Sequence, residues 1–250
     1  LYWDVQRLFF EIKQGITKAV HQGGFDAIGI DTWGVDFGLL DAHGQLVANP
    51  VHYRDERTVG MMEKAYEKVP QQELYDRTGI QLMRLNTVFQ LVSLVENRPD
   101  LLERAETMLL MPDLLAYFLT GAKYAEYSEV STTQMLDPKT GDWAYDLLER
   151  LGIPTRILPK IIDPGTPYGS LRADICEELG CPQVPVIAVC THDTGSAVAA
   201  VPSQKDDFIY ISCGTWSLFG TELKAPIINE TSRRFNLTNE GGYGRTARVL

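Results

Sequence analysis

The sequence predicts an α/β fold on three observations. An amphipathic helix opens the chain, short apolar strands alternate with helical stretches, and one strand delivers a polar cluster directly into an Ala/Val-rich helix. In the first helix Val5, Leu8, Phe9, Ile12, Ile16 and Val20 recur at steps of three and four, which predicts helix over residues 4–21, ended by Gly23-Gly24. Ala27-Ile28-Gly29-Ile30 reads as a short buried strand. A second strand, Val35 to Leu40, turns at Asp41-Ala42-His43-Gly44 into Gln45-Leu46-Val47, a hairpin signal. Residues 59–150 read as mostly helical, with Val88, Leu91, Val92 and Val95 on one apolar face. Pro112 opens a further helix there, and Thr120-Gly121 ends it. The proline- and glycine-rich residues 154–170 read as loop. Strand 185–190, helix 194–200 and strands 208–213 and 216–221 complete the pattern. The polar stretch Pro202-Ser203-Gln204-Lys205-Asp206-Asp207 is the expected boundary between a first domain, 1–201, and the beginning of a second, 202–250.

Composition narrows the function classes. The chain has 250 residues, 44% of them hydrophobic and 22% charged, enough to bury a core and too apolar for disorder. A net charge of −10 and the lack of a basic stripe argue against nucleic acid as a partner. No apolar run approaches the roughly 20 residues of a membrane span. Cys176, Cys181, Cys190 and Cys213 form no CxxC pair, and His21, His43, His52 and His192 show no zinc-ligand spacing, so no metal site is expected from these residues. Sparse cysteine reads as a reduced, cytoplasmic protein. The sequons Asn229-Glu230-Thr231 and Asn236-Leu237-Thr238 are of a kind that arises by chance.

Three clusters can carry chemistry. In Val189-Cys190-Thr191-His192-Asp193-Thr194-Gly195, an apolar strand ends at a polar group, the edge where open α/β sheets bind ligands. Asp193 there is either a base that takes a proton from a hydroxyl or a helix N-cap. Gly29-Ile30-Asp31-Thr32-Trp33-Gly34-Val35-Asp36-Phe37 places two carboxylates and an indole in a tight strand–loop–strand. Gly34 there allows a ligand close to the backbone, and Trp33 is able to pack on a sugar ring. The alternatives are a capped β-turn with a core Trp, or a glycosidase pair in Asp31 and Asp36. Ser212-Cys213-Gly214-Thr215-Trp216-Ser217 is a turn whose N–H groups and Thr215 hydroxyl can hold phosphate oxygens, or simply a hairpin turn. Asn239-Glu240-Gly241-Gly242-Tyr243-Gly244-Arg245 lacks a P-loop ending and reads as another turn, and no G-x-S-x-G occurs. The echo between Thr32-Trp33-Gly34 and Thr215-Trp216-Ser217 is off by one residue and reads as coincidence.

The Gly29–Phe37 run resembles the signature stretch of the FGGY carbohydrate kinase family, in the form of its members that phosphorylate L-rhamnulose. Matches follow in order across nearly the whole chain: Tyr53-Arg54-Asp55 with Arg57-Thr58, Asn86-Thr87, Leu110-Met111-Pro112-Asp113, Thr132-Thr133-Gln134, His192-Asp193-Thr194, Gly214-Thr215-Trp216-Ser217 and Asn239-Glu240-Gly241-Gly242. The resemblance implies an actin/ribonuclease H-like sugar kinase fold, with residues 1–201 an incomplete N-terminal domain and 202–250 the start of the C-terminal one. It implies ATP and Mg²⁺ as cofactors and transfer of phosphoryl to O1 of the sugar. Asp193 would be the proton acceptor; Gly34, His192, Asp193 and Thr194 would line the sugar site; Thr215 would hold ATP phosphates. The family's N-terminal strand and Asp-x-Gly turn find no counterpart here, so the chain is expected to be an internal fragment with a half-built ATP site, prone to self-association through an open sheet edge. A kinase of another ketose, an inactive sugar-binding fragment and, more distantly, a glycosidase are the other readings.

Overall fold

The computed structural model describes residues 1–205 and 207–250. The opening helix runs Val5–His21, and Asp4 caps it by accepting the N–H of Arg7 at 3.0 Å. Its apolar stripe divides between two clusters. Ile12, Ile16 and Val20 pack with Leu119, Leu171 and Ile175, while Val5 and Leu8 pack with Leu109, Leu114 and Leu115. This two-sided burial is what the three–four spacing encodes.

Strand Ile28–Gly29 pairs in parallel with Pro185–Ile187, which pairs antiparallel with Pro167–Ser170. The parallel contact extends past the regular strands. Thr32 donates to the Thr191 carbonyl at 2.9 Å, and Asp193 N–H returns to the Thr32 carbonyl at 2.8 Å. Two of the predicted chemical clusters thus leave the same sheet edge side by side.

The second strand begins later than the sequence suggests, at Phe37 rather than Val35, and runs to Leu40. Val35 holds φ 70°, a conformation costly to a β-branched residue, about 1–3 kcal/mol. Three bonds fix it: Val35 N–H donates to Thr132 Oγ1 at 3.2 Å, and its carbonyl accepts from Thr87 Oγ1 at 2.7 Å and Gln90 Nε2 at 3.2 Å. The expected hairpin forms, with Asp41 N–H on the Gln45 carbonyl at 2.9 Å.

Helices Thr87–Asn97 and Met111–Thr120 occur where predicted, the second closed by Gly121 at φ 80°. The mostly helical reading of 59–150 holds, with short strands set among the helices. Thr107–Leu110 is a strand against Phe37–Leu40, and Tyr124–Glu126, Leu136–Asp137 and Asp142–Trp143 are strands as well. The loop reading of 154–170 needs correcting. Lys160–Ile162 pairs with Tyr124–Glu126, and Pro167–Ser170 joins the three-stranded sheet. Pro167 is tolerated at the first position of its strand, and Gly169 at φ 151° follows a register shift in the ladder.

Helix Ala173–Leu179 leads into strand Pro185–Ile187, shorter than the expected 185–190, and helix Asp193–Ala199 follows. The expected boundary at 202–207 includes Asp206, which lies outside the described residues. Beyond it, Ile209–Cys213, Ser217–Leu223, Ala247–Val249 and Asn239–Gly241 form an antiparallel sheet in that spatial order. The Asn239–Gly241 strand replaces part of the turn expected there. This sheet docks on the preceding residues through Asn239 N–H on the Gly79 carbonyl (3.0 Å), Gly241 N–H on Ser131 Oγ (2.7 Å) and Tyr75 OH on the Leu237 carbonyl (2.8 Å). No helix among the described residues is long and apolar enough to cross a membrane.

Candidate active site

A cavity of about 410 Å³ opens at the carboxyl ends of the parallel strands. Its walls come from both clusters that leave that edge and from the Gly214–Trp216 turn of the antiparallel sheet. Gly34, His192, Asp193, Thr194 and Thr215 all line it. Five residues separated by up to 181 positions in sequence are therefore gathered in one place. Trp33 and Trp216 line it too, so the two Thr-Trp runs share a cavity although their registers differ.

The aromatic wall has a buried anchor. Asp36 is wholly inaccessible, and its Oδ2 accepts the indole N–H of Trp3 at 2.6 Å, that of Trp33 at 3.1 Å and the backbone N–H of Tyr53 at 3.1 Å. Its Oδ1 accepts from Gln90 Nε2 at 3.1 Å. Burial pushes the Asp36 carboxyl above its ordinary range, and these four donors offset part of that rise. Trp3 and Trp33 lie with centroids 4.0 Å apart, and His52 stacks on Trp3 at 4.4 Å. Asp31, by contrast, is exposed and does not line the cavity. Asp31 and Asp36 thus form no acid/base pair, and the glycosidase reading loses its residues.

Gly34 is glycine for a packing reason as well. A Cβ there would meet Thr132 Oγ1 at 3.1 Å and Cγ2 at 3.2 Å, so Thr132 would have to give way by a few tenths of an ångström.

Asp193 is the first residue of its helix, and His192 takes the N-cap position. The capping alternative is therefore not what holds Asp193. Its side chain is 58% exposed at the cavity. Oδ1 accepts the N–H of Thr194 at 2.7 Å and lies 3.4 Å from His192 Nε2. Behind it His192 Nδ1 stands 3.2 Å from Glu240 Oε2. Burial raises the Glu240 carboxyl, but His192 and Arg248 outweigh it and hold the group below its ordinary value.

Thr215 is exposed on its turn, and a Cβ on the neighbouring Gly214 would meet nothing within 4 Å. That open turn fits a phosphate chain approaching from solvent. Among the described residues no group of three His, Cys, Asp or Glu side chains is arranged to hold a metal ion by itself; magnesium is commonly held by one or two carboxylates together with substrate phosphates. Sequence reasoning missed Trp3 and gave Glu240 no individual role. Trp3 reaches the site through its N–H on the Pro50 carbonyl at 2.9 Å, a contact no local pattern announces.

Known proteins resemble this chain in sequence and in fold. Residues 2–200 match the N-terminal domain of the FGGY family of carbohydrate kinases. The rhamnulokinase of Bacteroides thetaiotaomicron is 43% identical over 250 residues, all of this chain and 52% of that protein. That of Oceanobacillus iheyensis is 45% identical over 249 residues, 99% of this chain and 53% of that protein. The chain thus spans about half the length of these curated relatives. Among solved structures, a ligand-bound xylulose kinase from Lactobacillus acidophilus superposes with TM-score 0.88 at 18% identity, over 99% of this chain and 50% of that one. Plasmodium falciparum glycerol kinase with ADP gives 0.82 at 16% identity, over 97% and 50%. The fold is the actin/ribonuclease H-like α/β arrangement of these sugar kinases, present in part, and the chain belongs to the FGGY family of carbohydrate kinases.

Proposed function

We propose that this chain forms the sugar site, and carries the base, of a cytoplasmic ATP-dependent kinase that phosphorylates L-rhamnulose on O1. The observation that carries the reading is the Asp193 carboxylate, exposed at the mouth of a sugar-sized cavity and beside an aromatic wall. Relatives named rhamnulokinase at 43–45% identity favour this sugar over other ketoses. In the proposed reaction the sugar stacks on Trp33 and rests against the backbone of Gly34. Asp193 takes the proton of its hydroxyl as the oxygen attacks the γ-phosphorus of ATP, the bond from that phosphorus to the β,γ-bridging oxygen breaks and ADP leaves, and Thr215 helps hold the phosphates. Residues 202–250 are read as the beginning of a second domain, and residues 1–201 as the incomplete first.

The test is an ATP-coupled phosphorylation assay with L-rhamnulose and a panel of ketoses, run on this chain and on the complete gene product. Preference for L-rhamnulose in the complete product supports the reading. Preference for another ketose reassigns the substrate, and sugar binding without transfer in either protein leaves a binding module.

A further inference from the structure

His192 is buried between two carboxylates and beneath a guanidinium. Its Nε2 lies 3.4 Å from Asp193 Oδ1, and its Nδ1 lies 3.2 Å from Glu240 Oε2. Arg248 Nη2 reaches the same Nδ1 at 3.2 Å and stands 3.4 Å from Glu240 Oε2. Glu240 and Arg248 are direct register partners on neighbouring antiparallel strands. Arg248 is wholly inaccessible, and its Nε donates to the Gly241 carbonyl at 2.9 Å. The backbone ladder therefore fixes where both charges sit.

A guanidinium only donates, so Arg248 Nη2 holds Nδ1 as an acceptor, and Glu240 is the carboxylate beside that guanidinium. The ring proton is then left to Nε2, on the side that faces Asp193 Oδ1. That oxygen also accepts the Thr194 N–H at 2.7 Å. The donors around Asp193 converge on one carboxylate oxygen, which leaves Oδ2 to the cavity.

We propose that Glu240, together with Arg248, is a positioning pair that clamps His192 with its Nε2–H on Asp193 and so aims the second carboxylate oxygen at the reacting hydroxyl. This rests on Asp193 being the base, as read above. The clamp comes from the antiparallel sheet and the base from the edge of the parallel one. Seating of that sheet is thus a condition for an oriented base.

The test uses the complete gene product with Glu240→Gln and Glu240→Leu. A Gln amide keeps an oxygen for the Arg248 guanidinium and preserves the clamp, whereas Leu leaves that guanidinium without its partner and no longer held at Nδ1. E240L is expected to lose about 10- to 100-fold in kcat with little change in the sugar KM, the signature of a misaimed base. E240Q is expected to stay close to the native kcat. Long-range ¹H–¹⁵N spectra, recorded without sugar or nucleotide, are expected to show the ring proton on Nε2 in the native protein and E240Q and mixed tautomers in E240L. His192 is one of four histidines, and its signals are assigned by their loss in His192→Gln. Native kcat in E240L, a bare Nε2 in the native ring, or E240Q as impaired as E240L would each overturn the clamp. If E240L does not fold, the native ring spectrum and E240Q still decide. A native protein that phosphorylates no sugar sinks the kinase reading, while the ring spectra judge the clamp independently.

Discussion

The Asp36 carboxylate holds the Trp33 indole N–H at 3.1 Å from a position with no solvent access. The same oxygen serves Trp3 and Tyr53. Asp36→Asn leaves one acceptor oxygen where two were in use and turns an NH₂ toward N–H donors. The expected cost is about 1–3 kcal/mol of stability, with a raised KM for sugar and a kcat near native, because the wall loosens while Asp193 is untouched. Urea unfolding and steady-state kinetics check this, and a native KM would show that the wall does not bind the sugar.

Asp193→Asn in the complete gene product is expected to lower kcat by about 10²–10⁴. Sugar affinity, measured by calorimetry, is expected to stay near native because the hydrogen bonds to Oδ1 survive. Retained turnover would leave Asp193 no more than the first residue of a helix.

Glu129 gives a pH signature. It is wholly buried, and neither carboxyl oxygen has a hydrogen-bond partner among the described residues. Burial first, then the charges of Asp113, Glu126, Asp193 and Glu240, push its pKa well above the ordinary carboxylate range. A raised folded-state pKa contributes stability that is fully present below the unfolded value, near about 4.3, and is lost as pH rises through the folded value. Glu129→Gln removes that loss. Unfolding free energy, followed from mildly acidic to alkaline pH, is expected to fall less steeply in E129Q. Asp113, raised mainly by burial too, keeps some slope in place. Parallel curves for the two proteins would sink the assignment.

Asn239 joins the antiparallel sheet to the rest of the chain. Its Nδ2 donates to the carbonyls of Gly79 (2.9 Å) and Ile227 (3.1 Å), and its Oδ1 accepts the Ile227 N–H at 2.7 Å. Asn239→Ala leaves those groups short of partners, at about 1–3 kcal/mol. Amide exchange is expected to quicken in Asn239–Gly241 and Ala247–Val249 while Thr87–Asn97 keeps its protection. Uniform quickening across the chain would mean that the sheet does not open separately.

What was legible in the sequence was local. The first helix shows itself because Val5 through Val20 repeat at helical spacing. Helix Met111–Thr120 does so because Pro112 and Gly121 mark its ends. Gly34, His192, Asp193, Thr194 and Thr215 stand in motifs that mark them as site residues in the sequence, and the fold brings them to one cavity. The strands Lys160–Ile162 and Pro167–Ser170 were illegible because each is three or four residues long and depends on a partner elsewhere in the chain. Non-local pairing overrides the proline and glycine signals there. Glu240 was hidden for a related reason: its meaning lies in His192, 48 positions away, and not in the glycines beside it.

The spread of the cavity walls along the chain also sets an order of assembly during synthesis. Trp3 and Trp33 leave the ribosome about 200 residues ahead of Glu240. At bacterial-to-eukaryotic elongation speeds that interval is roughly 10–40 s. Asp36, Gln90 and Thr132 can lock the aromatic wall early in it, whereas the Glu240–Arg248 strands arrive only at its end. A nascent chain therefore holds its aromatic wall assembled before the strands that bring Glu240 and Arg248 to His192 have left the ribosome.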